Sequence, residues 1–221
     1  EVVGRYRGSW MGLAWSFFNP VLLLTVYTFV FSVVFKARWG TDADESKTGF
    51  AIALFAGMIV HGLFADCINR APGLITSNVN FVKKVVFPLE IMPWVAMGSA
   101  LFHSAINVTV LLLAQLVFKQ HIPWTAIFFP AVVLPLVLIS MGLAWFLAAL
   151  GVYLRDISQI TGIFTTILMF LSPVFFPLSA LPPAMQPWLI LNPLAFIIEQ
   201  ARNVLIFGRT PNWEVWGIVL T

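Results

Sequence analysis

Long stretches without a charged residue constrain this chain more than any other feature. Asp, Glu, Lys and Arg are all absent from residues 8–35, 48–65, 91–118, 120–154 and 157–198. A membrane-spanning helix needs about 20 predominantly apolar residues. The chain is 10% charged, whereas a soluble domain has about 25% charged residues. We therefore predict an all-α integral membrane protein.

The remaining polar segments divide the chain into predicted units. These are an interface helix at 1–14, spans at 15–35, 50–65, 91–118, 126–152 and 160–176, a polar stretch at 66–90, a proline-broken stretch at 177–209, and the start of a sixth span at 213–221. The chain begins with Glu1 and ends inside an apolar run, so we expect trimmed ends and a truncated last span. The interface residues, which place cations and rings at headgroup level, are Arg5, Tyr6, Arg7 and Trp10.

Prolines interrupt the apolar stretch that follows span five. They are Pro173, Pro177, Pro182, Pro183, Pro187, Pro193 and Pro211. Proline removes a backbone donor and breaks a helix, and broken backbone survives at membrane depth only inside protein or along a cavity. Two interpretations stay open: short re-entrant helices that line a gate, or a loop lying on the headgroups. The candidate gate residues are Pro173, Phe175, Phe176 and Leu181.

Several function classes lack their motifs here. None of the 14 glycines is followed by Lys, so the chain has no P-loop, and ATP with Mg²⁺ would have to bind a partner. No Cys/His cluster indicates a metal site, and no basic, aromatic-interleaved stretch indicates nucleic acid. An intramembrane transferase would need paired carboxylates or a His/carboxylate set at one depth, but His61 and Asp66 are five residues apart and on different faces of a helix. A secondary transporter would show repeats and midplane charges. No cofactor is predicted in this chain.

Polar and aromatic side chains inside the spans allow two interpretations each. His61 and His103 are functional candidates by default, but a neutral, hydrogen-bonded packing role is favoured. One face of span one and one face of span five could line a path for neutral sugars, or could simply pack. The path candidates are Trp15, Phe18, Phe29, Thr161, Thr165, Met169 and Ser172.

Two further groups carry charge. The stretch Asn80, Phe81, Val82, Lys83 and Lys84 could insert a ring and two cations into a soluble partner, or could touch anionic lipid. Glu199 and Arg202 are three residues apart in the proline-broken region. We predict that they form a structural pair or cap their helix.

Four segments, in order, resemble the ABC-2 type exporter permeases that move polysaccharides, and the O-antigen permeases most of all. They are RYRGSWMGLAWSFFNPVLLLTVYTFVFSVVF, NFVKKVVFPLEIMP, YLRDISQI and SPVFFPLSALPPAMQPWLILNPLAFIIEQARNVLIFG. Capsule and teichoic-acid permeases share this pattern. A type-2 permease for a drug or a small lipid would have the same architecture and stays as an alternative.

The resemblance implies more than the residues do. It implies six transmembrane helices per subunit with both termini cytoplasmic, whereas the Lys and Arg residues divide evenly between the two sides. It implies a homodimer with two ABC ATPase subunits in the bacterial cytoplasmic (inner) membrane, exporting lipid-linked polysaccharide that enters from the cytoplasmic leaflet. The chain itself would not be an enzyme. Residues 80–84 would belong to the region that couples to the ATPase, and the proline-broken stretch would form periplasmic gate helices.

Overall fold

The computed structural model describes residues 12–34, 47–78, 88–178, 192–213 and 216–217, and every regular element within these ranges is helical. We number the longer helices α1 (Trp15–Tyr27), α2 (Lys47–Arg70), α3 (Met92–Lys119), α4 (Phe129–Tyr153), α5 (Ile157–Leu171) and α6 (Pro193–Arg202). Two π-helical segments, Thr28–Val34 and Asn203–Phe207, continue α1 and α6. The all-α prediction is confirmed for the described part of the chain.

Three helical stretches are long and apolar enough to cross a membrane: Gly49–Gly73, Leu89–Lys119 and Trp124–Tyr153. At about 1.5 Å per residue, each reaches beyond the bilayer's hydrocarbon core of about 30 Å. Two shorter apolar helices cover Trp15–Phe31 and Ile157–Leu171. These lengths confirm an integral membrane protein with several spans.

Helix α2 is the centre of the packing. In its most apolar stretch 78% of the residues are buried, against 28% for the stretch that contains α3 and 39% for the one that contains α4. It contacts α3, α4, α5, α6 and the π-helical continuation of α1. Its sequence FAIALFAGMIV is apolar on every face, as expected for a helix surrounded by protein.

Helices α1 and α5 each leave an apolar face uncovered. The large exposed side chains on α1 are Phe17, Phe18, Val21, Leu22, Leu23 and Val26, and those on α5 are Ile160, Ile163, Phe164, Ile167, Phe170 and Leu171. Uncovered apolar area on this scale marks a membrane or protein contact. Lipid or another subunit therefore covers both faces.

Gly151 allows the end of α4 to touch the turn that follows α2. A Cβ placed on Gly151 would lie 2.7 Å from the Cα of Pro72 and would also collide with the carbonyl of that residue. Both contacts are backbone, so no side chain can rotate away. Only glycine fits this close approach.

Replacing Gly151 by alanine is therefore expected to lower stability by about 1–3 kcal/mol, the usual range for overpacking. The measurement is the apparent melting temperature of the detergent-solubilised protein by fluorescence-detected size exclusion. Gly142→Ala is the matched control, because it lies on the same helix with nothing within 4 Å of the added Cβ. Equal melting temperatures for the two variants would contradict the close packing.

Candidate functional site

Helix α5 ends abruptly at Leu171, and the proline two residues later causes this end. We call residues 172–176 the break. Steric conflict with Pro173 pushes the preceding Ser172 to an extended conformation (φ −97°, ψ 153°). The Ser172 N–H still donates to the Leu168 carbonyl at 2.9 Å, and the Val174 N–H donates to the Ser172 carbonyl at 2.7 Å. Helix α5 therefore ends at Leu171, and the chain turns back toward the protein.

Two aromatic rings lie at the end of the break. Phe175 and Phe176 are both half-buried. The Phe175 ring stacks on Phe170 of α5, with centroids 5.5 Å apart and planes 26° apart. Pro173 and Val174 are buried. Of the predicted gate residues, the structure places Pro173, Phe175 and Phe176 together at this break, while Leu181 lies outside the described residues.

Arg202 links three elements through hydrogen bonds. It is the last residue of α6 and is 3% exposed. Its Nε donates to the Ala53 carbonyl of α2 at 2.9 Å, and its Nη2 donates to the Val174 carbonyl at 2.8 Å. The planar guanidinium offers donors in several fixed directions. Arg202 therefore holds α6 and the break together against α2.

A glycine on α2 makes room for this contact. A Cβ on Gly57 would lie 2.8 Å from Arg202 Nη2 and 3.3 Å from the Cα of Val174. Gly57 is one helical turn after Ala53, on the same face of α2. The bare backbone at this position allows the guanidinium and the break to approach the helix.

Glu199 interacts electrostatically with Arg202 on the same short helix, which has ten residues and is too short to span a bilayer. Burial raises the pKa of Glu199, and the positive charge of Arg202 opposes that shift. Burial lowers the pKa of Arg202 to about 9, and the carboxylate of Glu199 opposes that shift in turn. Arg202 therefore keeps its charge at neutral pH. Sequence analysis named this pair but missed the two carbonyls that Arg202 binds.

A second contact lies beside the first. The side-chain amide of Asn192 donates to the Ser172 hydroxyl at 2.9 Å. Its oxygen accepts from the Leu194 N–H at 3.1 Å and so caps α6, where Pro193 occupies the first helical position. We call the contacts Ser172–Asn192 and Val174–Arg202 the neck. The neck joins the residues just after α5 to the beginning and the end of α6.

Two uncharged polar residues that sequence analysis overlooked anchor the chain after α6. Gln115 of α3 donates to the Leu205 carbonyl at 2.9 Å, and Thr125 donates to the Val204 carbonyl at 2.7 Å. Both side chains are almost completely buried. The available signal was their polarity within apolar surroundings, which typically indicates hydrogen bonding between helices in membrane proteins.

The hydroxyl-bearing face of α5 packs against α2. Thr161 and Thr165 are each 3% exposed, and the Thr165 hydroxyl lies within hydrogen-bond distance of both the Thr161 carbonyl, at 3.0 Å, and Oδ1 of Asn69 on α2, at 3.2 Å. His61 Nε2 lies 3.0 Å from the Thr165 carbonyl, so this nitrogen carries the hydrogen. Ser172 is buried in the neck and Met169 is half-buried. The predicted path residues of α5 thus lie mainly inside the protomer here, and His61 is hydrogen-bonded.

The predicted path residues of α1 lie on its open side. Phe18 and Phe29 are 44% and 58% exposed, and Trp15 is half-buried with its ring edge-to-face on Phe18 at 5.5 Å. Farther along α1, an open apolar pocket of about 550 Å³ is lined by this helix, its π-helical continuation and α3. The hydroxyls of Thr25 and Thr28 on its wall donate to carbonyls of their own helix. The structure does not join the two sets of path residues into one surface.

Other predicted residues lie outside the described ranges: Arg5, Tyr6, Arg7, Trp10, Asn80, Phe81, Val82, Lys83 and Lys84. Their roles stay predictions. Within the described ranges, no group of three or more His, Cys, Asp or Glu side chains is placed to hold a metal ion.

Comparison with known proteins gives matches over nearly the whole chain. A family model described as ABC-2 type transporter matches residues 1–206. The O-antigen export system permease protein RfbA of Myxococcus xanthus is 27% identical over 97% of this chain and 80% of its own length. A Klebsiella pneumoniae protein of the same name is 24% identical over 98% and 83%. The polysialic acid transport protein KpsM of Escherichia coli is 25% identical over 94% and 79%.

Proposed function

Because the chain belongs to the ABC-2 type transporter family, we propose that it is the membrane permease subunit of an ATP-driven polysaccharide exporter. The observation that carries the proposal is similarity, over nearly the whole chain, to permeases named for O-antigen and polysialic acid export. O-antigen is the preferred cargo, since the Myxococcus xanthus relative named for it is 27% identical to this chain, against 25% for the polysialic acid transport protein. A capsular polysaccharide is the second candidate.

The assembly we propose has two copies of this chain and two separate ABC ATPase subunits. Six spans per subunit complete the bundle, with residues 213–221 beginning the sixth. The indole of Trp216 donates to the Ala131 carbonyl of α4 at 2.9 Å, which supports a further helix beside α4. Residues 80–84 are the proposed ATPase contact, with Phe81 as the inserted ring and Lys83 and Lys84 as cations.

We place the gate at the break after α5. The break is apolar, contains Pro173, and is held to α6 by the two hydrogen bonds of the neck. Because the Val174 carbonyl has a partner there, the break can close a path without exposing that carbonyl unpaired to lipid. Phe175 and Phe176 are the proposed plug, on the periplasmic side. Hydrophobic constrictions of this kind can close a pore by excluding water. The short helix α6 is one of the proposed gate helices.

The open aromatic face of α1 is the proposed first contact for the glycan. Phe18 and Phe29 offer ring faces, which hold a sugar chain weakly and in any register. Thr161 and Thr165 would meet the glycan only after α5 separates from α2, because both now pack inside the protomer. Lateral entry between α1 and α5 would bring the two sets of residues together.

Deleting the gene for this chain in its source bacterium tests the function. We expect lipid-linked glycan to accumulate on the cytoplasmic leaflet of the membrane and the matching surface glycan to disappear, with both reversed by a plasmid copy. The glycan that disappears distinguishes the two cargoes, because O-antigen is lost from lipopolysaccharide ladders and capsule is not. Unchanged surface glycans and no cytoplasmic accumulation would contradict polysaccharide export.

A further inference from the structure

Arg202 holds two carbonyls that differ in their freedom to move. Ala53 lies within α2, the most buried helix, where its carbonyl also belongs to the helical backbone. Val174 lies beyond the end of α5, in the turn caused by Pro173. The Nε bond therefore joins Arg202 to a fixed element, and the Nη2 bond joins it to the segment that carries the plug.

We propose that Arg202 is a positioning residue for the gate: the Nη2–Val174 bond holds the plug segment against α2 when the gate is closed, and breaks when it opens. The Nε–Ala53 bond remains in both states and keeps the guanidinium in place. This inference rests on the proposed gate at Phe175 and Phe176. Arg202 would then act in transport as well as stabilise the fold.

Gly57 gives independent support. Position 57 is where any side chain would separate Val174 from α2, since a Cβ would come within 3.3 Å of the Val174 Cα and 2.8 Å of Nη2. At Gly57, α2 therefore has no side chain between its backbone and the Nη2–Val174 hydrogen bond. By contrast, Gly62 on the same helix faces outward, with nothing within 4 Å of an added Cβ.

The chemistry of the bond suits a contact that must break and re-form. A hydrogen bond from a charged donor is stronger than a neutral one, so the closed state is held firmly. The Val174 carbonyl needs a partner or water at that depth, and an opening pore supplies water. Arg202 meanwhile keeps its bond to Ala53, so opening does not leave the charge without any partner.

The test uses the complete complex of permease and ATPase subunits reconstituted in vesicles without ATP. Small-solute flux is measured for Gly57→Ala and Arg202→Gln, together with the amount of folded complex by size exclusion. Gly57→Ala weakens the bond while retaining Arg202, and Gly62→Ala is its matched control. Arg209→Gln is the control for Arg202→Gln, because Arg209 is exposed and lies beyond the π-helical continuation of α6.

We expect Gly57→Ala and Arg202→Gln each to raise resting flux several-fold per folded complex, with both controls at the wild-type level. The double variant should leak no more than Arg202→Gln alone, because that variant already lacks the Nη2–Val174 bond that Gly57→Ala weakens. Loss of folded complex with wild-type flux per remaining complex would overturn the proposal and leave Arg202 a purely structural residue.

Truncating the plug separates failure of this inference from failure of the gate. If Phe175→Ala with Phe176→Ala raises flux but Gly57→Ala and Arg202→Gln do not, the gate is correct and Arg202 does not position it. If none of these variants raises flux, the gate itself lies elsewhere. Both results overturn the role proposed for Arg202.

Discussion

Replacing Phe175 and Phe176 together by alanine should raise passive small-solute flux through the resting complex by on the order of tenfold, because the apolar constriction that we propose at these two rings would be lost. The Phe175 ring stacks on Phe170 at the end of α5, so truncating this ring of the proposed plug should leave a gap. The measurement is dye or ion efflux from vesicles that contain permease and ATPase without ATP.

Phe146→Ala is the control for the plug, since Phe146 is a 62% exposed ring on α4, away from the break. It should leave flux unchanged. Wild-type flux in the double variant, together with cysteine labelling that places positions 175 and 176 in lipid, would favour a loop lying on the headgroups.

The largest expected loss of stability comes from removing the two donors that hold the chain after α6. Gln115→Leu and Thr125→Val would leave the Leu205 and Val204 carbonyls buried without these donors. Each buried carbonyl left without a partner costs about 1–3 kcal/mol. If the two costs add, the free energy of unfolding of the double variant should fall by roughly 2–6 kcal/mol. We expect a much lower melting temperature in detergent and little assembled complex.

Thr109→Val is the matched control for Thr125→Val. The Thr109 hydroxyl donates to the Ala105 carbonyl of its own helix at 2.8 Å, in an exposed position. Losing that donor leaves the carbonyl with its helical partner, so the melting temperature should barely change. If Thr125→Val behaves like Thr109→Val, the bond from Thr125 contributes little to stability.

The charge-free segments were sufficient to predict an all-α membrane protein because the bilayer fixes helix length and excludes unpaired charge. They mark apolar spans, however, and a helix can continue past the end of a span. Helix α2 runs to Arg70, beyond the charged Asp66, and these two side chains face each other one turn apart at 3.8 Å. Charges of opposite sign at this spacing support a helix.

The prolines indicated where the backbone breaks, but not which groups would satisfy the freed carbonyls. Arg202 binds a carbonyl 149 residues away in the sequence. Any residue can supply a carbonyl, so no residue type marks the partner. The interaction of Arg202 with Glu199 was predictable from helical spacing. The bonds to α2 and the break required the fold.

The face of α5 illustrates the same limit. Helical periodicity correctly placed Thr161 and Thr165 on one face. Periodicity does not say what that face meets, and here it meets α2. A packed hydroxyl and a path-lining hydroxyl leave the same sequence pattern, and a transporter that changes conformation can use one residue in both ways.

The most direct test of polysaccharide export is movement of lipid-linked glycan across vesicles that contain this chain and its ATPase. Glycan delivered to the compartment opposite the ATPase is scored with a membrane-impermeant lectin or glycosidase. We predict ATP-dependent delivery that stops when the catalytic site of the ATPase is inactivated. Complete, ATP-hydrolysing complexes that move small lipids or drugs but no lipid-linked glycan would contradict the account.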